Sequence, residues 1–242
     1  LKKRGNRVIV ACSGPLALTM QHAEGVDMVV QHEAAFGVVH DFWLPSMTAS
    51  IPLGWQYADV DGTPYIKKPT VAKGDKLRIG VRWQGNPQFE HEQHRFFPHE
   101  FMFNAIKGLD VEYISLQRDE GVQNRPSWIK EVDLNHWENT REAIASCDLV
   151  ISSCTSVAHM SAAMGVPTWI VIPVLPYYLW AKPGNSTEWY DCVRLFRQKG
   201  HGDWSSVFAE LKKELHDAYE NGLLDSRQER QSDGRVGLQA VR

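Results

Sequence analysis

The stretch "DLVISSCTSVAHMSAAMGVPTWIVI", Asp148 to Ile172, decides the fold. An apolar run from Leu149 to Ser152 breaks into Ser153-Cys154-Thr155-Ser156, and a segment of Ala, Ser and Met follows from about Val157. Small side chains let a helix pack closely on a sheet, and Gly165 before Val166-Pro167 supplies a left-handed C-terminal position and a stop. "TWIVIPV" then reads as a second buried strand, which makes the whole a βαβ unit. The hydroxyl cluster falls where strand turns into helix, and free backbone N–H groups at a helix N-terminus favour phosphate. Ser153, Thr155 and Ser156 read equally well as caps on an ordinary helix. His159, one turn in, reads by itself as a packed or hydrogen-bonded side chain rather than a catalyst.

The same rhythm extends outward. "RVIVAC" (Arg7 to Cys12), a helical stretch to about Ala23 and "VDMVVQ" form two βα steps. From Ala34 to Tyr65 the pattern turns irregular, and Lys67 to Lys76, "KKPTVAKGDK", reads as an exposed connector. "LRIGVRW" restarts the strands, followed by a Gly85-Asn86-Pro87 loop, a helix from about Pro98 to Lys107 and the strand "VEYISL". "NTREAIASC" reads as a helix capped by Asn139 or Thr140 with Glu142 in support, and Trp204 to about Gly222 as an amphipathic helix. These elements predict an α/β chain: residues 1–68 as a partial amino-terminal domain, 69–76 as linker, 77–222 as a Rossmann-like domain and 223–242 as a polar tail.

A net charge of −3 over 242 residues gives no electrostatic reason to expect nucleic acid. Cys12, Cys147, Cys154 and Cys192 form no CxxC pair and no metal-ligand spacing, so they read as free thiols in a reducing compartment. No apolar run approaches the roughly 20 residues needed to span a bilayer, and the N-terminus has too short an apolar stretch for a signal peptide. The expectation is a cytoplasmic protein, in which the acceptor pattern Asn185-Ser186-Thr187 carries no glycan.

"DLVISSCTSVAHMSAAMGVPTWIVIP", "IGVRWQGNPQFEHEQHRFFP" and "WYDCVRLFRQKGHGDWSSV" together resemble, in order and spacing, the carboxyl-terminal half of the heptosyltransferase-like glycosyltransferases, above all the branch often fused to tetratricopeptide repeats. Weaker similarity carries the resemblance over most of Arg7 to about Leu211. It implies a GT-B fold, in which two Rossmann-like domains face each other across a cleft, with the amino-terminal domain incomplete in this chain. It also implies an inverting, metal-independent glycosyltransferase without cofactor. The donor would be a nucleotide-diphosphate sugar and the acceptor a saccharide, lipid-linked or protein hydroxyl.

Carried over by residue, the resemblance places Ser153, Cys154, Thr155, Ser156 and His159 in the donor phosphate loop, and Gly85, Asn86 and Arg95 in and after the Gly-Asn-Pro loop. Gln117 follows as a residue facing the nucleotide. Arg95 reads alternatively as a surface partner of Glu90 or Glu92. Trp189, Tyr190, Arg194, Phe196, Arg197 and Gln198 match an element read as packing. The family has Asp-Thr where this chain has Cys154-Thr155, and its catalytic base belongs to a loop expected upstream of Leu1. His40 and Asp41 are stand-in bases by residue type alone.

Three other readings compete. A noncatalytic nucleotide-sugar-binding protein accounts for Cys154 and the missing base loop. A nicotinamide-dependent oxidoreductase shares the Rossmann-like elements, but no G-x-G-x-x-G follows a strand with an acidic residue about 20 positions on. A cysteine hydrolase built on Cys154 and His159 needs a thiol–imidazole pair that their spacing does not by itself establish.

Overall fold

The computed structural model describes residues 1–89 and 92–224, so the polar tail from 225 onward and Glu90, one of the two partners expected for Arg95, lie outside the described residues. The chain begins with a βαβ unit: β1 (Ile9–Cys12), α1 (Gly14–Met20) and β2 (Met28–Gln31), with Ile9 opposite Met28 in parallel register. The irregular stretch that follows holds short 3-10 turns and α2 (Ser50–Leu53). Its Phe36, Val39, Phe42, Trp43 and Met47 side chains are exposed.

The remainder contains β3 (Arg78–Arg82), α3 (Glu92–Arg95), α4 (His99–Ile106), β4 (Glu112–Ser115), β5 (Ile129–Lys130), α5 (Trp137–Ala145), β6 (Leu149–Ser153), α6 (Ser156–Ala163), β7 (Thr168–Ile172), β8 (Val193–Arg197) and α7 (Trp204–Glu220). The strands form one six-stranded sheet in the order β5-β4-β3-β6-β7-β8, separate from the β1–β2 pair. Every pairing is parallel. Counted from β3, the order is 3-2-1-4-5-6, that of the doubly wound Rossmann sheet.

Alternation along the strands supplies two cores. Ile79, Val81, Leu149, Ile151, Trp169 and Phe196 face α4 and α7, where Met102, Ile106, Phe208 and Leu211 meet them. Ile114, Leu116, Val150, Ile170 and Leu195 face Ile144 of α5 and Val157, Ala158 and Ala162 of α6. Strands covered on both faces carry apolar residues on both, with polar residues mostly at their ends, as a parallel sheet favours. Gly80 is obligatory here, because a Cβ would lie 2.6 Å from Leu116 and 2.9 Å from the Cys147 sulfur. Among the described residues no helix is long and apolar enough to cross a membrane.

Gly165 takes φ +71° past the end of α6, as the Gly-Val-Pro break predicts. The α5 cap differs from expectation: the helix starts at Trp137, with His136, three residues before Asn139, at the cap position and no side-chain cap bond. Asn139 donates to Asp133 and Thr140 to the His136 carbonyl, so neither is free to cap. The connector is not simply exposed either. Lys73 reaches back under the sheet to the buried Asp148 carboxylate and the Cys147 carbonyl.

The amino-terminal unit docks on α5 through a polar cluster. Arg141, buried, donates to Glu138 at 2.8 Å and to the Lys67 carbonyl at 2.8 Å, while Thr19 donates to Glu138. Burial raises the Glu138 carboxyl, but the Arg141 hydrogen bonds and charge outweigh it and hold the group below its ordinary range. Farther on, the amides of Tyr65 and Ile66 both donate to the Ala163 carbonyl at the end of α6.

Candidate functional site

In a doubly wound sheet, ligands bind outside the carboxyl ends of the strands where the order reverses. That point lies here between β3 and β6, whose ends run into Trp83–Asn86 and Cys154–Thr155. Arg95 joins the two loops, donating through Nη1 to the Cys154 carbonyl and through Nε to Glu92. Its guanidinium also lies 4.7 Å from the Phe89 ring centroid.

Glu92 is only 6% exposed and accepts the Gly85 amide at 2.9 Å as well as Arg95. The partner weighed for Arg95 from the sequence is therefore present, but inside the protein rather than on its surface. Gly85 is required by the same arrangement: a Cβ would sit 2.5 Å from both Arg95 Nη2 and Glu92 Oε2. Its close approach is to this ion pair. Arg95 Nη2, which carries two N–H donors, has no hydrogen-bond partner among the described residues.

At the facing loop, Thr155 occupies the N-cap position of α6 without a side-chain cap bond. The amides of Thr155, Ser156 and Val157 have no partner among the described residues. The Ser153 hydroxyl is buried and likewise unpartnered, whereas Ser152 and Thr155 hydroxyls lie 3.3 Å from each other. Thr155 is buried and Ser156 exposed. Open amides, an unsatisfied hydroxyl and a guanidinium donor thus converge at the switch point, an arrangement suited to an anion.

Cys154 faces inward. Its sulfur accepts the Trp180 indole N–H at 3.1 Å, and burial pushes the thiol up from its ordinary value against the opposing pull of Trp180 and Arg95. His159 stacks on Trp180 at 5.2 Å and 17°, with Nδ1 3.2 Å from the Tyr190 hydroxyl, and burial lowers it to about 4. Trp180 thus touches both, and burial disfavours a thiolate on the one and an imidazolium on the other.

Gln117 lines a cavity of about 470 Å³ at the ends of β4 and β5, together with Ser115, Arg118, Val132 and Asp133. Its amide is already engaged. Oε1 accepts from Trp83 and Gln84 amides, and Nε2 donates to the Gln84 and Arg118 carbonyls, which exhausts its hydrogen-bonding capacity. Gln117 splints the loops after β3 and β4 instead of presenting polar groups to a ligand. Asn86 is exposed and accepts the Gln88 amide at 2.9 Å, forming the turn. His40 and Asp41 are exposed, with His40 Nδ1 2.7 Å from the Val38 carbonyl.

The 173–192 connection joins β7 to β8, and its first part, 173–184, carries no role in the sequence analysis. Trp180 anchors it to Cys154, and Arg197 Nη2 holds the Trp180 and Lys182 carbonyls at 2.9 and 2.8 Å. Gln198 accepts the Val174 amide, and Tyr190 is buried, so these residues pack as expected. Arg194 pairs with Glu214 and lies over the Trp169 and Phe196 rings. The available signal was the cluster "VLPYYLW" inside a long gap between strands. Compared with protein-family models, curated proteins and solved structures, the chain finds no match.

Proposed function

We propose that the chain contains the donor-binding domain of a GT-B glycosyltransferase acting on a nucleotide-diphosphate sugar. The observation that carries this reading is the convergence of the Thr155, Ser156 and Val157 amides with the Ser153 hydroxyl and Arg95 Nη2 at the switch point of the sheet. The cavity beside Gln117 has room for the nucleoside. In an inverting, metal-independent transfer, an acceptor hydroxyl attacks the anomeric carbon from the face opposite the diphosphate. A carbon–oxygen bond forms, the bond to the diphosphate breaks, and the acceptor proton passes to a general base. The open amides and Arg95 offset the charge that develops on the departing diphosphate.

Calorimetry with UDP, ADP, GDP and CDP tests the reading. Ser156→Glu, at an exposed first position of α6, should lower affinity for the preferred diphosphate at least about tenfold while favouring the helix by about 0.3–1 kcal/mol. Position 156 suits the test because it is exposed, whereas a carboxylate at Thr155 would be buried. Absence of binding by all four nucleotides would remove the proposal.

A noncatalytic nucleotide-sugar-binding protein is the second reading, favoured by Cys154 standing where the resembled family has a carboxylate. Release of free sugar or transfer to an acceptor by the bound chain would decide against it.

A further inference from the structure

We propose that the aromatic strip Tyr177, Tyr178, Trp189 and Tyr57 is a saccharide-binding shelf, and that it holds the acceptor sugar. The acceptor role rests on the transferase reading above, whereas the shelf itself does not. Successive rings lie 4.4, 6.3 and 6.2 Å apart. The strip starts in the same loop as Trp180, which contacts Cys154 beside the switch point, and ends on Tyr57 of the irregular amino-terminal stretch. It therefore spans the two parts of the chain, where a second substrate must meet a donor held at β6.

The chemistry of the strip fits a neutral polyhydroxylated ring. Tyr177 and Tyr178 are 49% and 52% exposed in a loop tied down at Trp180 and by Arg197, and Tyr57, 43% exposed, comes from the amino-terminal stretch to meet Trp189 edge-on, so part of each tyrosine ring is left open on a fixed support. The C–H face of a pyranose packs on such rings, and its hydroxyls need polar neighbours at their edges. Lys182 sits 4.2 Å over the Tyr57 ring and pairs with Glu188, which also accepts the Tyr57 hydroxyl at 3.0 Å. This rim offers donors and acceptors with no net charge, which suits a sugar better than an acidic or basic partner. A nucleobase also stacks on aromatic rings. It is disfavoured because the strip lies on the β7–β8 side of the switch point, away from the cavity at β4 and β5.

A glycan microarray probed with the labelled chain, followed by calorimetry on the glycan captured, tests the shelf without any nucleotide. The wild-type chain should bind at least one glycan terminus. The Tyr177→Ala/Tyr178→Ala double variant should lose affinity about tenfold or more, and Tyr178→Phe, which keeps the ring, less than about threefold. Silence across the array, unchanged binding by the double variant, or capture of free nucleosides in place of glycans would each overturn the shelf. Nucleoside-diphosphate affinity should be the same in the double variant as in wild type. Glycan capture without any diphosphate binding would leave the shelf standing and the transferase reading refuted.

Discussion

Arg95→Ala isolates the Glu92–Arg95 pair. The substitution leaves the Glu92 carboxylate, 6% exposed, with the Gly85 amide as its remaining partner among the bonds described above. Removing one member of a buried ion pair costs about 3–5 kcal/mol. The Arg95 side chain is 18% exposed, and the Gly85 bond survives, so the lower end applies: about 3 kcal/mol. For a domain of this size each kcal/mol is worth roughly 2–4 °C, which gives a fall in Tm of about 6–12 °C. Urea titration followed by tryptophan fluorescence measures it, and Glu92→Gln/Arg95→Ala should recover much of the loss, because a neutral amide needs no counter-charge. A single variant within about 0.5 kcal/mol of wild type would show that the pair is not the clasp described here, and strict additivity in the double variant would do the same.

Ser153→Ala removes a buried hydroxyl without a partner, so stability of the ligand-free chain should hold or rise by up to about 1 kcal/mol while diphosphate affinity falls; a fall in both would mean the hydroxyl has a structural partner. Burial holds His159 at about 4 against an ordinary 6.5, so the folded chain resists a proton that the unfolded chain accepts. Stability is then fully present above pH 6.5 and is lost toward about pH 4, by up to about 1.4 kcal/mol per pH unit, and urea titrations at pH 7 and 4.5 should show a difference that shrinks in His159→Gln. Cys154→Asp places a carboxylate against the Trp180 indole N–H and near Arg95, so Tm should stay within about 4 °C of wild type, roughly 1 kcal/mol. The same variant should hydrolyse its preferred nucleotide sugar faster; a folded variant with unchanged hydrolysis would separate the missing carboxylate from activity.

The strands and helices of the second half were legible because burial on both faces writes itself into local sequence: Leu149 to Ser152 and Thr168 to Ile172 read as strands and are strands. Gly165 was equally clear, since a left-handed residue before Val-Pro is a local requirement. What local reading could not reach was the choice of partner across the chain. Gln117 presents an amide that suits a ligand, but its actual partners are the backbones of Trp83 and Gln84, more than thirty residues away. Gly85 lies in the Gly-Asn-Pro loop that the resemblance assigns to the donor, and the space beside it is taken by Glu92 and Arg95. Lys73 lies in a stretch whose composition says linker, and a single long side chain finds Asp148. Asn139 has the right chemistry for a cap but sits two residues inside the helix, where Asp133 takes it instead.

Helix α6 has a fixed length for a reason unrelated to its own stability. Its first amides open onto the switch point, while its last carbonyl, on Ala163, receives the Tyr65 and Ile66 amides, and a Cβ on Gly165 would lie 2.6 Å from Pro64. Eight residues therefore separate two fixtures with different partners. Each inserted or deleted residue turns one end against the other by about 100° and shifts it about 1.5 Å. Such a change would swing either the amides away from the β3 loop or the Ala163 carbonyl away from its strap. The segment should thus tolerate substitution but not insertion or deletion, and α6 behaves as a gauge block that sets the distance between the switch point and the place where the amino-terminal chain is fastened.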